Sequence, residues 1–272
     1  MMRKFYALVV LAGMMAGLWS GAAFASYWDE GNDGDSWETA YIIDSAEDFM
    51  QMRNKTNGES GKYYKLTTDL DLTATTGFDF AIFGGHFDGQ NHTVKVNISD
   101  DFHAALFCWV ETDGVAVRNL NVEGNVHAKY YAGGIAVRLR QGTVENCTFT
   151  GNVEAVNTSS DKSIIAAGGI VVFAGDYCDD EQRTTKAGTV NNCRFQGTVS
   201  ASGTSYAEAG GIVGEVYNGS INSCTVLTGS TISANRLEDG YLYAGGITGF
   251  VGSGLKYVDE ETYTYGTVYI TN

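Results

Sequence analysis

From Ala104 onward the chain runs in short stretches of small, aromatic and β-branched residues broken by glycine, and the stretches recur. "AGGIVGEVYNGSINSC", from Ala209, aligns with "AGGIAVRLRQGTVENC" from Ala132, "AGGIVVFAG" from Ala167 and "AGGITGFVG" from Ala244, with a weaker copy, "AALFCWV", from Ala104. A second series follows: "GVAVRNLNVEGNV", "GTVENCTFTGNV", "GTVNNCRFQGTV", "GSINSCTVLTGSTI" and a shortened "GTVYITN" from Gly266. Each unit reads as three short strands, a GGI strand, a GTV strand and a G-x-V strand, turned by glycine. Such a unit cannot bury its apolar face alone and must stack on its neighbours. The pattern predicts an all-β fold, a right-handed parallel β-helix of three-strand coils, with a small N-terminal α/β cap.

Stacking at about 4.8 Å per coil turns equivalent positions into ladders. Ile135, Ile170, Ile212 and Ile247 form one expected ladder, Val144, Val190 and Ile221 a second, and Phe149, Phe195 and Val226 a third that supplies bulk. Asn119, Asn146, Asn192 and Ser223 fall at one bend, where side-chain amides can pair from coil to coil and satisfy turn carbonyls. Cys147, Cys193 and Cys224 share the next position and are expected as buried thiols, since stacked side chains point alike and not toward one another.

Ahead of the repeats, Tyr41 to Ile43 reads as a strand, and "DSAEDFMQMRNKTNGES" as a helix opened by Ser45 and Asp48 in a capping-box pattern and ended near Gly58. "GKYYKLTTDLDLT" alternates as strands do. The segment would cover the open end of the stack, where unpaired strand edges invite aggregation. Before it, Arg3 and Lys4 precede an apolar run ending in Ala23-Phe24-Ala25, the pattern of a cleaved secretory leader. The expected organisation is a signal peptide over 1–25, an N-terminal cap over 26–101 and repeats over 102–272. The protein is therefore expected to be secreted or held at the cell surface, with no membrane span after the leader.

Taken together, "DSWETAYIIDSAEDFMQM", "SGKYYKLTTDLDL", "FGGHFDGQNHTVKVNI" and the repeated GGI, GTV and G-x-V units resemble the GLUG-motif proteins of bacterial surfaces, whose repeats also occur beside the protease domain of IgA-specific metallo-endopeptidases. The resemblance spans roughly residues 34–272. It departs from the family at Ala40, where a proline is usual, and at Val137 and Val172, which interrupt the Gly-Gly-x-x-Gly pattern that Gly214 and Gly249 complete. It implies a repetitive extracellular scaffold of adhesive type and assigns no catalytic residue.

Charge narrows the partners. A net charge of −15 disfavours nucleic acid and anionic membranes and leaves neutral glycans, cations and basic surfaces. The zinc-protease motif H-E-x-x-H is absent: His86, His92, His103 and His127 are scattered and none precedes a glutamate. Glycoside hydrolysis needs two carboxyls about 5 to 9.5 Å apart. The Asp pairs, Asp100-Asp101 and Asp179-Asp180, lie in loops with no Lys or Arg recurring at a matching position. A non-enzymatic scaffold is therefore expected, with a polysaccharide lyase or glycoside hydrolase as the alternative and a structural assembly module as a third reading.

Binding is expected where the chain leaves the repeat. "AGDYCDDEQRTTKA" and "GSGLKYVDEETYTY" are inserted at one corner, two coils apart. They bring Tyr177, Asp179, Asp180 and Glu181 near Tyr257, Asp259, Glu260 and Tyr263, a set that suits a sugar, a basic partner or a calcium ion. The plain alternative is two tolerated surface insertions. No cofactor is expected, and the C-terminal coil offers an edge for self-association.

Overall fold

The structure is a computed structural model and describes residues 32–54, 60–159, 163–175, 187–236, 238, 240–252, 255–259, 262–265 and 268–271. The leader and the segment of Tyr177, Asp179, Asp180 and Glu181 lie outside the described residues, as does Glu260.

The fold is nearly all β, with one helix among the described residues. Three parallel sheets, named here A, B and C, carry the chain, which visits them in rotation. From Tyr131–Gly133 in sheet C it passes to Ala136–Glu145 in sheet A and Thr148–Asn157 in sheet B, then returns to sheet C at Ile164–Gly168. The following strands repeat the order, Val171–Ala174 and Gly188–Asn191 in A, Arg194–Gly203 in B and Tyr206–Gly210 in C. Each circuit adds one layer, parallel and in register: Gly142 pairs with Gly188 and Gly188 with Gly219, while Phe149 pairs with Phe195 and Phe195 with Val226.

This corrects the boundaries of the three strands. Alanine and the first glycine close a sheet C strand, the second glycine and the isoleucine turn the corner, and the residues after them share sheet A with the GTV segment. The double glycine serves the corner by two different absences. A Cβ on Gly168 would lie 1.9 Å from the Val171 carbonyl oxygen, so the first glycine lets the corner close. A Cβ on Gly169 would lie 2.1 Å from the Gly211 carbonyl oxygen of the next layer and 2.6 Å from the Phe195 ring, so the second lets the layers stack and makes room for the core aromatic.

The isoleucines stack as their spacing predicts, Ile135 N–H donating to Ile170 O at 2.8 Å and Ile170 N–H to Ile212 O at 2.9 Å. The Phe149 and Phe195 rings lie parallel, centroids 6.2 Å apart. Asn119, Asn146, Asn192 and Ser223 all turn the chain in the left-handed region, with φ of 50°, 53°, 49° and 52°. Cys147 and Cys193 are buried free thiols, Cys224 is a half-buried one, and Cys193 is pushed well above the ordinary thiol range, mainly by burial.

Strands Tyr63–Leu66 and His86–Asp88 extend sheet A, while Leu70–Leu72 and Thr93–Asp100 extend sheet B, so the N-terminal strands are members of the same stack. The helix Ala46–Asn54 is capped by Ser45, whose hydroxyl accepts from Asp48 N–H at 3.1 Å and donates to the Asp48 carboxylate. Its Phe49 and Met52 enter the main core, Phe49 packing 5.8 Å from both Phe87 and Phe107. Arg53, also buried, donates to the carbonyls of Leu106, Phe78 and Asp79.

One register differs from the repeat alignment. Matching "GTVYITN" to the other copies places Gly266 opposite Gly219, but the strand Val268–Thr271 pairs Val268 with Gly219 and Ile270 with Ile221. The inserted antiparallel hairpin of Leu255–Asp259 and Thr262–Tyr265 precedes it, and Ile270, not Val268, is the residue in register with Ile221.

Candidate functional site

Both insertions open at the same place in sheet A. Leu139, Ala174, Val216 and Val251 stand on four successive layers in matched register, with the insertions following Ala174 and Val251, and the chain resumes at Gly188 and Val268 on either side of Gly219. Within the second insertion the antiparallel ladder places Tyr257 opposite Tyr263 and Asp259 opposite Thr262. The partner segment of the first insertion lies outside the described residues, so Tyr257, Asp259 and Tyr263 are the expected binding residues whose backbone is placed.

Elsewhere the outer surface of sheet C carries more chemistry than the repeat suggests. At its border with sheet B is an open polar cavity of about 450 Å³, lined among others by Asp100, Asp101, His127, Lys129, Asn157 and Ser159. It forms because sheet B strands end here in register, Asp100 beside Ala128, so the residues that turn toward sheet C gather on successive layers. Asp100 fixes its own turn, its carboxylate accepting from the N–H groups of Phe102 and His103 at 2.7 Å each. His127 is paired with Glu154 at 3.2 Å, both exposed. The Lys129 amine stands 5.7 Å from the centroid of the Tyr130 ring. Asp100-Asp101 therefore does have a cation beside it: Lys129 lines the same cavity one layer on, which the spacing of the repeats did not disclose.

Directly after Asp101 comes Phe102, whose ring is 50% exposed and lies 4.7 Å from Tyr130 and 4.4 Å from His103. His103 stacks on Tyr131 at 5.2 Å, and Tyr131 meets Phe173 edge-on at 4.9 Å. Burial pushes the His103 imidazole down to about 4, so it is neutral at ordinary pH. The aromatic band thus runs from the polar cavity across sheet C to sheet A, where Arg138 lies 5.1 Å from the centroids of both Trp109 and Phe173.

Two aligned rows flank the corner between sheets C and A. On sheet C the row is His103, Tyr131, Ala166, Glu208, Tyr243, and on sheet A it is Trp109, Arg138, Phe173, Glu215, Phe250. Glu208 and Glu215 therefore meet on one layer, across the Gly210-Gly211 corner. Burial, then the neighbouring charge, pushes Glu208 up to about 9, and burial also raises Glu215. Each carboxyl is among the causes of the other's shift, so the two act directly on one another. It was legible only as "AEAGGIVGEV", where the two acids interrupt rows that are otherwise aromatic, small or basic.

Among the described residues no three His, Cys, Asp or Glu side chains gather as a metal cluster, and no helix is long and apolar enough to cross a membrane.

These features define a repetitive β-rich scaffold of stacked parallel strands with an aromatic and polar outer surface. Over 144 residues the chain is 31% identical to Halomucin of Haloquadratum walsbyi, a match covering 44% of this chain and 2% of that protein. It shares its fold with a crystal structure from Bacteroides ovatus described as a candidate immunoglobulin A1 protease, at a TM-score of 0.53 and 18% identity, covering 88% of this chain and 86% of that one. No family model matches the chain, so the likeness to GLUG-motif proteins rests on the motifs themselves.

Proposed function

We propose that the chain is a non-enzymatic, exported surface or matrix protein of the GLUG type, a right-handed parallel β-helix that binds a glycan on the outer face of sheet C. The observation that carries this reading is the exposed Phe102 ring, packed on Tyr130 beside a polar cavity of about 450 Å³. A sugar stacks its apolar C–H face on such a ring and directs hydroxyls to carboxylate, amide and amine groups, here Asp101, Asn157 and Lys129. The cavity has the size of a small-ligand site, and its open, polar lining suits a partner that stays hydrated. The partial likeness to Halomucin agrees with a surface-type role. The burial of Glu208 and Glu215, 5% and 1% exposed, weighs against a glycosidase built on that pair, since a substrate has to reach both carboxyls. The insertions bearing Tyr177, Asp179, Asp180 and Glu181, and Tyr257, Asp259, Glu260 and Tyr263, are proposed as a second contact region.

A glycan-array screen of the secreted chain tests the reading. Binding should fall at least about tenfold in Phe102→Ala and in Lys129→Ala, as expected for loss of one stacking or charged contact of roughly 1.4 kcal/mol or more. Trimming the two insertions should alter selectivity with a smaller loss. An array without hits, or hits that Phe102→Ala leaves untouched, overturns the site.

A further inference from the structure

The aromatic band that begins at Phe102 has a second arm. Besides Phe102 at 4.4 Å, His103 lies 6.5 Å from Phe80, whose ring is 56% exposed and meets Trp109 edge-on at 5.0 Å. Phe102 and Phe80 are the exposed phenylalanines among the described residues, and they flank one histidine. The Trp109 end carries two guanidinium groups, Arg138 at 5.1 Å and Arg140 at 5.5 Å from the ring centroid. Glu111 holds Arg140 there, accepting from it at 3.1 Å. At the other end Lys129 stands 5.7 Å from Tyr130, which packs on Phe102 at 4.7 Å. The face therefore runs from a cation across rings to two more cations, in a chain with 17 basic residues against 32 acidic ones.

The charges around the polar cavity are taken up unequally. Asp100 accepts from its own turn, and His127 and Glu154 hold each other. Among the described residues no carboxylate pairs with Lys129, which lines the cavity beside the exposed ring.

We propose that the glycan of this face is an acidic polysaccharide, its uronic acid carboxylates set toward Lys129 at one end of the band and toward Arg138 and Arg140 at the other. Its sugar rings lie on Phe102 and Phe80. The inference rests on the glycan reading above and adds the class of sugar. A neutral sugar draws only a hydroxyl bond from an ammonium, whereas a carboxylate forms the charge-assisted bond, about twice as strong. An arginine carries five N–H donors in one plane and serves a carboxylate of the chain and one of a ligand together. Asp101, in the same cavity, accepts sugar hydroxyls and repels a carboxylate, so it turns the acid group to the Lys129 side.

The negative charge of the whole chain acts from outside the band, and at physiological salt charges more than about 8 Å apart are largely screened. It slows association more than it weakens the contacts. The two cationic ends also set a length. With Tyr130, Phe102, His103 and Phe80 between them, a single sugar does not engage both, so affinity grows with the oligomer.

Calorimetry on the full-length secreted chain, comparing fragments of polygalacturonate, alginate and hyaluronate with their methyl esters, is the direct test. The esters keep rings and hydroxyls and lose the charge. At least one acid fragment should bind about tenfold or more tighter than its ester, and tighter than its own monomer. Lys129→Gln keeps a donor and should bring the ratio of acid to ester affinity toward one, and Arg140→Gln should lower it by a smaller factor. Phe102→Ala should weaken acid and ester alike. Equal binding of acid and ester, both weakened by Phe102→Ala, overturns the acidic class and leaves the glycan reading standing. Neutral glycans bound on the array with no acid fragment bound has the same meaning, and binding of neither kind overturns both. A preference for the acid that survives in both Lys129→Gln and Arg140→Gln overturns the site.

Discussion

Asn192 donates its side-chain amide to the side-chain oxygen of Asn146 at 2.8 Å, and Asn146 donates in turn to Asn119 at 3.2 Å. All three hold left-handed backbone, so one residue type meets two demands: it tolerates the bend, and it ties each layer to the next.

Replacing Asn146 by alanine removes both amide bonds and places a Cβ-bearing residue without local compensation at positive φ. The expected loss is about 2 kcal/mol. Asn146→Gly should cost less, because glycine recovers the backbone freedom and only the ladder is lost. Urea unfolding of the two variants separates the contributions; equal costs would show that the ladder alone matters.

Gly151 has φ of 141°, and a Cβ there would lie 1.9 Å from the Gly124 carbonyl oxygen. The adjacent layers repeat the geometry, Gly197 meeting Gly151 O and Gly124 meeting Val96 O. Gly151→Ala should therefore destabilise by more than about 3 kcal/mol, since the obstacle is backbone in a neighbouring strand and cannot rotate away. Expression of soluble, cooperatively melting Gly151→Ala protein would contradict this.

Phe149→Ala should cost about 3 to 5 kcal/mol, the range for a fully buried phenylalanine. The hole opens against Phe195 on one side and Gly134 on the other, neither of which can close it cheaply: the Gly134 Cβ direction already points at the ring, 2.7 Å away. Chemical denaturation gives the value, and a loss under 1 kcal/mol would mean the layers collapse onto the gap.

Cys193 is sealed in the core, with its thiol contacting the Val144 and Asn191 carbonyls at 3.6 Å and 3.3 Å. Burial favours the neutral thiol, so a thiol reagent should modify Cys193 only on global unfolding. Mass-spectrometric mapping of labelling against denaturant checks it, and labelling in native buffer would place the segment in a locally opening region.

Glu208 sets a pH signature. Its folded pKa of about 9 stands above the ordinary 4.5, so the folded chain holds a proton that the unfolded chain has lost. Stability from this group is fully present below pH 4.5 and declines as pH rises toward 9. The wild type should lose melting temperature across that window relative to Glu208→Gln, and parallel curves for the two proteins would show that the pair carries no such proton.

The sequence alone determined what one layer needs. Isoleucine after the double glycine, phenylalanine or valine in the third ladder, and asparagine at the bend are dictated by the side-chain requirements of a repeating coil, and repetition made them visible. It also determined the first strand at Tyr41–Ile43 and the Ser45 cap, both local matters of pattern and hydrogen bonding. Tertiary structure decided what depends on adjacency between layers and faces. Only register brings Lys129 beside Asp101, and only the corner between sheets C and A brings Glu208 against Glu215, seven positions away in the chain. The same reason governs the last strand, where a match of letters put Gly266 opposite Gly219, but the strand that follows the inserted hairpin pairs Val268 there. A repeat specifies its own core through positions that recur, whereas its outer surface is built from the residues that do not.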